Sequence, residues 1–376
     1  MLAYAQLFSS SKNIGATLLE AIRDIIPSAV LHDGTIQAIH RSPRIDGTES
    51  LVLLAPYRHS FAPDAAINLC GMAFLMATAK HFRSSRFWAR DLIFLVPGVS
   101  TQSSTDSTRA LERWLAAYHG DSDLIDYAGS IQAAISIELF QKSYSSVPCN
   151  CSFSDAQVLV EGPNGLLPNL DLANTAVLLT RHRAAEPSLN SPTSLFNPIL
   201  SKLPAYLQSV GQSMLMILRQ AFGYPLYAHG PFLKYRIDAI TMSFSASSFS
   251  ADAETSDIDR ENSYLFEKVE LTFRSLNNIL EHLHQSFFFY VMTSSESFVS
   301  IANYAAVVVI PAALLVLHGL FVLQHAPGST SKSLACLFFV ASINALILLA
   351  ISYLPSWVRY ITHVYRIRLC LCIQLV

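Results

Sequence analysis

The sequence predicts an α/β domain with a central sheet covered by helices, followed by transmembrane α-helices. Two patterns carry this expectation. Short apolar runs alternate with amphipathic helical stretches along most of the chain, as in a sheet wrapped by helices. Two uncharged apolar runs then follow, Phe298 to Leu323 and Leu334 to Leu354, separated by the breaker-rich stretch Gln324 to Ser333. At roughly 1.5 Å rise per residue the shorter run reaches ~31 Å, about the thickness of a bilayer's hydrocarbon core.

Leu51 to Ala55 reads as a buried strand ended by Pro56, and a helix is expected from Asp64 to Phe82. Leu92 to Val96 repeats the strand signal and stops at Pro97-Gly98. Ser107 is the expected N-cap of a helix through His119, with Leu111, Trp114, Leu115 and Tyr118 on one face and Gly120 as the stop. Ile131 to Leu139, Ala156 to Val160 and Arg236 to Phe244 supply further strands. Arg183 to Pro204 and Ser243 to Asp259 are rich in loop-forming residues. A helical pattern from Ser263 to about Tyr290 sets Leu265, Val269, Phe273, Leu276, Leu280 and Leu283 on one stripe. That stripe suits either the core or a helix leading down to the bilayer, where Phe287 to Tyr290 form an interfacial aromatic cluster. The expected organisation is a globular domain over 1–262, a connecting helix over 263–297, and a membrane region over 298–376 with helices at 298–323 and 334–354.

Charge points away from nucleic acid. The chain carries 25 Lys and Arg against 27 Asp and Glu. Lys332, Arg359, Arg366 and Arg368 are the only charges after Glu296, so the 21 basic and 27 acidic residues before them leave a net charge of −6. Six cysteines form neither a disulfide framework nor a zinc module by spacing. Asn150-Cys151-Ser152 is a glycosylation triplet that matters if this face is lumenal. Met1 to Phe8 is too short, and lacks the basic flank, for a signal peptide.

Several segments, in one order, resemble a known family. They include Thr48-Glu49-Ser50-Leu51-Val52-Leu53, Phe87-Trp88-Ala89-Arg90-Asp91, Trp114-Leu115-Ala116-Ala117-Tyr118-His119, Val160-Glu161-Gly162-Pro163-Asn164-Gly165-Leu166-Leu167-Pro168-Asn169-Leu170-Asp171-Leu172, and His229-Gly230-Pro231-Phe232-Leu233-Lys234-Tyr235-Arg236. The chain resembles the GPI-anchor attachment proteins, large membrane-bound accessory subunits of GPI transamidase. The resemblance implies an endoplasmic reticulum membrane glycoprotein with several spans and a lumenal globular domain. Its partners would be the GPI lipid, the proprotein C-terminal signal and a cysteine-peptidase subunit holding the catalytic thiol. The family has an N-terminal membrane anchor and more C-terminal spans, so this chain is expected to be a form shortened at both ends.

The family's soluble domain is similar to zinc aminopeptidases, which implies a mixed sheet between helical layers and a site at the strand ends. A two-metal hydrolase there needs a His-x-Asp, a bridging Asp, a Glu-Glu pair, another carboxylate and a final His. In this sequence His59 is followed by Ser60 and Phe61. Ala66-Ile67 stands where the bridge belongs, and Pro97-Gly98-Val99-Ser100 replaces the Glu pair. Glu138 and His229 remain as vestigial candidates, and two ligands cannot hold catalytic zinc. No catalytic residue, metal or cofactor is therefore expected. Glu138 alone suits a paired strand-end carboxylate, and His229 a hydrogen-bonded core histidine. Glu161, Asn164, Asn169 and Asp171 are candidates for partner or substrate contact, or members of a structured loop. His284 and Gln285 are candidates for the membrane interface, and Asn150 for glycosylation. Two other functions fit less of the sequence: a membrane-tethered zinc aminopeptidase with a rearranged site from His59, Asp64, Glu138 and His229, and a non-enzymatic membrane scaffold.

Overall fold

The computed structural model describes residues 1–11, 13–44, 47–60, 66–99, 104–120, 125–140, 153–181, 227–246, 255–279, 288–292 and 298–325, with single positions between 204 and 220. Contacts divide the chain into two compact units. One holds Met1–Gln220 and Tyr224–Phe298, the other Ala221–Gly223 and Val299–Val376.

The first unit is built on strands β1 (Val30–His32), β2 (Thr35–His40), β3 (Glu49–Leu54), β4 (Asp91–Pro97), β5 (Ser130–Phe140), β6 (Phe153–Leu159) and β7 (Asp238–Ala246). They form one sheet in the order β1-β2-β4-β3-β5-β7-β6. β4, β3, β5 and β7 run parallel, while β1, β2 and β6 are antiparallel to their neighbours, so the sheet is mixed. The helices are α1 (Leu2–Ser10), α2 (Ile14–Ile25), α3 (Leu69–Ser84), α4 (Ser104–His119), α5 (Leu170–Arg181), α6 (Gly230–Lys234) and α7 (Thr255–Asn278).

Strand alternation divides the apolar residues between two cores. Leu51, Leu53, Phe94, Ile135 and Ile137 join α1, α2, α3, α5 and α7 on one face. Val52, Leu54, Ile93, Leu95 and Ala134 meet Leu111, Trp114 and Leu115 of α4 and Phe232 of α6 on the other. Helices thus cover both faces, as a parallel centre requires. On the larger side Phe82 packs on Trp88 at 4.5 Å and Phe273 at 5.6 Å between ring centroids; each such aromatic pair is worth about 1 kcal/mol beyond its buried area.

Several boundaries differ from those expected. The hairpin β1–β2 closes on Asp33-Gly34, both at positive φ (45° and 76°), a primed two-residue turn that matches strand twist. Its strands were not expected, nor were α1 and α2, whose Ala5, Phe8, Leu18 and Ile22 lie in the core. The expected helix at Asp64 starts at Leu69, because Asn68 caps it by accepting the Gly71 N–H at 3.0 Å. Ser107 is not an N-cap. It lies inside α4, buried against Gly98 (φ +79°), where an added Cβ would stand 2.6 Å from Ser107 Cα. Instead of the loop from Ser243, β7 continues to Ala246 and α7 begins at Thr255. α7 stops at Asn278 rather than near Tyr290; β8 (Tyr290–Met292) follows.

α7 sends Leu265, Val269, Phe273 and Leu276 into the core. Its C-terminal carbonyls are held by Arg90, which donates to Leu276 O and, at 2.7 Å, to Ile279 O, while Asn277 Oδ1 accepts the Ala89 N–H at 2.8 Å.

The second unit contains α8 (Ile301–His325), preceded by β9 (Phe298–Ser300) at the boundary between the units. This segment coincides with the first expected membrane run; the second, 334–354, lies outside the described residues. α8 has no Asp, Glu, Lys or Arg and exposes Val309, Ile310, Leu314, Leu315 and Leu317. Six of its side chains lie outside the description, and over the described residues alone no helix is long and apolar enough to cross a membrane.

Candidate functional site

Open sheets with parallel strands bind ligands at the carboxyl ends of those strands. In β5 the alternation that aims Ile135, Ile137 and Leu139 at one core sends Ser136 and Glu138 to the other face. The register aligns Ser136 with Thr241, and Glu138 with Ser243, which pairs in turn with Gln157 on β6. A polar row therefore crosses three strands inside the domain, and every member is buried. Ser136 Oγ, Ser243 Oγ and Gln157 Oε1 have no hydrogen-bond partner among the described residues. Such groups are costly to bury dry, which marks this row as the polar part of the site.

Glu138 is fully buried and held by the chain leaving β3. It accepts from Ser60 N at 3.1 Å through one carboxyl oxygen and from Ser60 Oγ through the other. His59 stacks on Phe140 with ring centroids 4.2 Å apart. Its Nδ1 comes within 3.5 Å of Glu138 Oε2, near enough for an ion pair but without hydrogen-bond geometry. The His59 N–H is fixed by Ala66 O at 3.0 Å. Asn68 adds a second tie, donating from Nδ2 to Ile137 O at 3.1 Å, so that α3 and β5 meet at a set height.

His229 sits elsewhere on the same side of the sheet and is likewise fully buried. Its Nε2 faces Glu161 O at 3.0 Å and its Nδ1 faces Thr241 Oγ1 at 2.8 Å. A carbonyl only accepts, so Nε2 carries the proton and Nδ1 accepts from the Thr241 hydroxyl. Burial lowers its pKa to about 4, against the opposing effect of the Glu161 and Val160 backbone, so the ring is neutral at physiological pH. Its single lone pair is thus already engaged.

A metal does not fit these residues. His229 has no lone pair to give, Glu138 is engaged by Ser60, and the loop after β4 offers Gly98, whose contact with α4 leaves no room for a side chain. Among the described residues no three His, Cys, Asp or Glu side chains come together as a metal would require. Asp64 lies outside the described residues.

The turn-rich block after β6 divides into buried and exposed members. Asn169 caps α5, accepting the Asp171 N–H at 2.9 Å, and its own N–H donates to Asp238 Oδ1 at 2.8 Å. Asn169 and Glu161 are buried, whereas Asn164 (φ 55°) and Asp171 are exposed. Burial pushes the Asp238 carboxyl up to about 6, with the Asn169 N–H opposing. Tyr290 of β8 lies over this group, its hydroxyl donating to Pro168 O at 3.2 Å, and burial with the nearby charges of Glu161 and Asp238 raises its pKa strongly. The block is therefore a structured loop as well as a candidate contact surface. Its buried half fixes the exposed half.

Asn150, His284 and Gln285 lie outside the described residues. Cys70, read by spacing as outside any disulfide framework, is disulfide-bonded, and every other cysteine lies outside the described residues.

The family model for Gaa1-like proteins, described as a GPI transamidase component, matches residues 32–365. The chain belongs to this Gaa1-like family. Among curated relatives it is 31% identical over 292 residues to the GPI transamidase component gaa1 of Schizosaccharomyces pombe, covering 78% of this chain and 47% of that protein. It is 31% identical over 274 residues to GAA1 of Saccharomyces cerevisiae, covering 72% and 39%. The chain thus spans less than half the length of these relatives. Solved structures similar to the Gaa1-like chain include the Legionella pneumophila LapA aminopeptidase, with TM-score 0.42, 13% identity, and coverage of 74% of this chain and 66% of that one. Porphyromonas gingivalis glutaminyl cyclase is similar with TM-score 0.39, 11% identity, and coverage of 73% and 96%.

The polar row could have been found from the sequence. Ser136-x-Glu138 and Thr241-x-Ser243-x-Ser245 alternate polar residues within otherwise buried strands, which is anomalous for a parallel sheet covered on both faces. The Asp238–Asn169 contact left no such trace, because the partners are 69 residues apart.

Proposed function

We propose that this Gaa1-like chain is a non-catalytic subunit of GPI transamidase that positions the GPI lipid, the proprotein C-terminal signal, or both, for anchor attachment. The domain faces the endoplasmic reticulum lumen, α8 crosses the membrane, and the catalytic thiol belongs to a cysteine-peptidase subunit. Family membership supports the complex. The observation that supports the non-catalytic role is the neutral, doubly engaged His229, which like the Ser60-bound Glu138 is held by protein groups rather than open to a metal. The Cys70 disulfide supports a lumenal domain, since such bonds persist in oxidising compartments. Asn164 and Asp171 are the exposed contact candidates. Holding two reactants in line contributes on the order of 7 kcal/mol or more to a rate without any bond being made by this chain.

Glu138→Gln with His229→Gln keeps hydrogen-bonding groups at both places and removes the carboxylate and imidazole. The variant is expected to co-purify with the cysteine-peptidase subunit, to carry a glycosidase-sensitive glycan at Asn150, and to support anchor attachment at the parent level. Lost attachment in a variant that still assembles, with zinc bound to the parent chain, would overturn the proposal.

A further inference from the structure

A helix on the surface of a folded domain turns its apolar stripe to the core. One segment does the reverse. Within 207–220 the described residues 207, 210, 211, 214, 216 to 218 and 220 are helical. At 3.6 residues per turn, Leu207, Val210, Met214, Ile217 and Leu218 fall within one arc of about 100°. All five point away from the protein, with exposures of 45, 41, 59, 47 and 52%. Met216 stands on the opposite side, 6% exposed, and its Sδ accepts the Met292 N–H at 3.1 Å. The inner face is therefore anchored while the outer face is apolar and bare. Residues 203–218 contain no charged side chain.

We infer that this helix lies in the surface of a lipid bilayer, with Leu207, Val210, Met214, Ile217 and Leu218 as its membrane-contacting face. Two observations favour lipid over a protein partner. The anchor of the helix is β8, and the two residues just before β8, Phe288 and Phe289, are 43 and 66% exposed, as aromatic side chains at a membrane interface are. Nine residues after Met292 the chain enters α8, within a reach of about 30 Å even fully extended. An uncharged apolar stripe seated on β8, which is preceded by bare aromatic residues and followed by a long apolar helix, has the chemistry of an interfacial helix. The inference rests on the membrane association of the proposed function.

The test uses the full chain reconstituted in phosphatidylcholine vesicles, with single tryptophans added at Met214→Trp, Leu218→Trp, Leu317→Trp in α8, and Leu31→Trp on the edge strand β1. Native Trp88 and Trp114 are buried and, with Trp357, give a background common to all variants. Emission from Met214→Trp and Leu218→Trp is expected to lose most of its intensity when the vesicles contain brominated phosphatidylcholine and to resist aqueous iodide. Leu31→Trp should show the opposite. Lipid quenching at Leu317→Trp without quenching at Met214→Trp would overturn the inference and leave the spanning helix in place. Protection of Met214→Trp from both quenchers would also overturn it, by showing a protein surface over the stripe. Quenching at Met214→Trp with none at Leu317→Trp would support the interfacial contact and remove the span.

Discussion

α7 and the helix within 207–220 carry the same kind of apolar stripe and turn it in opposite directions. Leu265, Val269, Phe273 and Leu276 of α7 are between 0 and 4% exposed, whereas Leu207, Val210, Met214, Ile217 and Leu218 of the second helix are bare and, among its described residues, Met216 alone is buried. Periodicity reports that a stripe exists; what covers it depends on the neighbours. α7 faces inward because Phe82 and Phe74 of α3 meet its Phe273 and Phe266, and because Arg90 and Asn277 lock its C-terminal end. The sharpest test of this difference is Phe273→Ala. Truncating a buried Phe costs about 3–5 kcal/mol, so thermal unfolding of the detergent-solubilised chain should shift strongly downward. A shift no larger than that of a surface change would mean that α7 is not part of the core.

The outward helix depends on a chain of contacts that α7 does not need. Met216 is seated on Met292 of β8, and β8 in turn is fixed by Tyr290 above Glu161 and Asp238. Asp238 titrates near 6, above its ordinary value of 3.8, so between those limits the folded state binds more protons than the unfolded one. Stability contributed by the protonated carboxyl is complete below the lower limit and is lost as pH rises through the upper. Asp238→Asn retains an acceptor for the Asn169 N–H and removes the ionisation. It should raise stability at pH 7 on the order of 1 kcal/mol and flatten the dependence between pH 4 and 6. An unchanged pH profile would show that Asp238 is solvated and that this seat carries no buried charge.

Much of the sheet was legible because buried parallel strands give continuous apolar runs, as in Leu51 to Ala55 and Leu92 to Val96. The missed β1 is a three-residue edge strand and β2 is its six-residue inner neighbour, and their signal was the Asp33-Gly34 turn rather than a run. α1 was discounted as a short apolar start, although Phe8 is wholly buried. At the candidate site, the sequence showed which metal ligands are missing but not what replaced them. Ser60 reaching Glu138, and Thr241 taking the lone pair of His229, join residues 78 and 12 apart through side-chain geometry that no local pattern records. The orientation of the 207–220 stripe was equally hidden, since an inward and an outward stripe have the same period.

Leu218→Ser gives the smallest expected effect on folding, and it bears on the comparison from the other side. A polar replacement at a position 52% exposed leaves the folded and unfolded chains similarly hydrated, so in detergent the unfolding transition should move by less than about 0.5 kcal/mol. The same change in a covered stripe forfeits about 2 kcal/mol or more of apolar burial. A loss of that size at Leu218 would mean that some part of this chain folds over the stripe, and the contrast with α7 would collapse into two helices packed in the same way. Small loss in detergent together with weaker lipid quenching in vesicles would instead place the missing cover outside the polypeptide, where the bilayer supplies to one helix what Phe82 and Phe74 supply to the other.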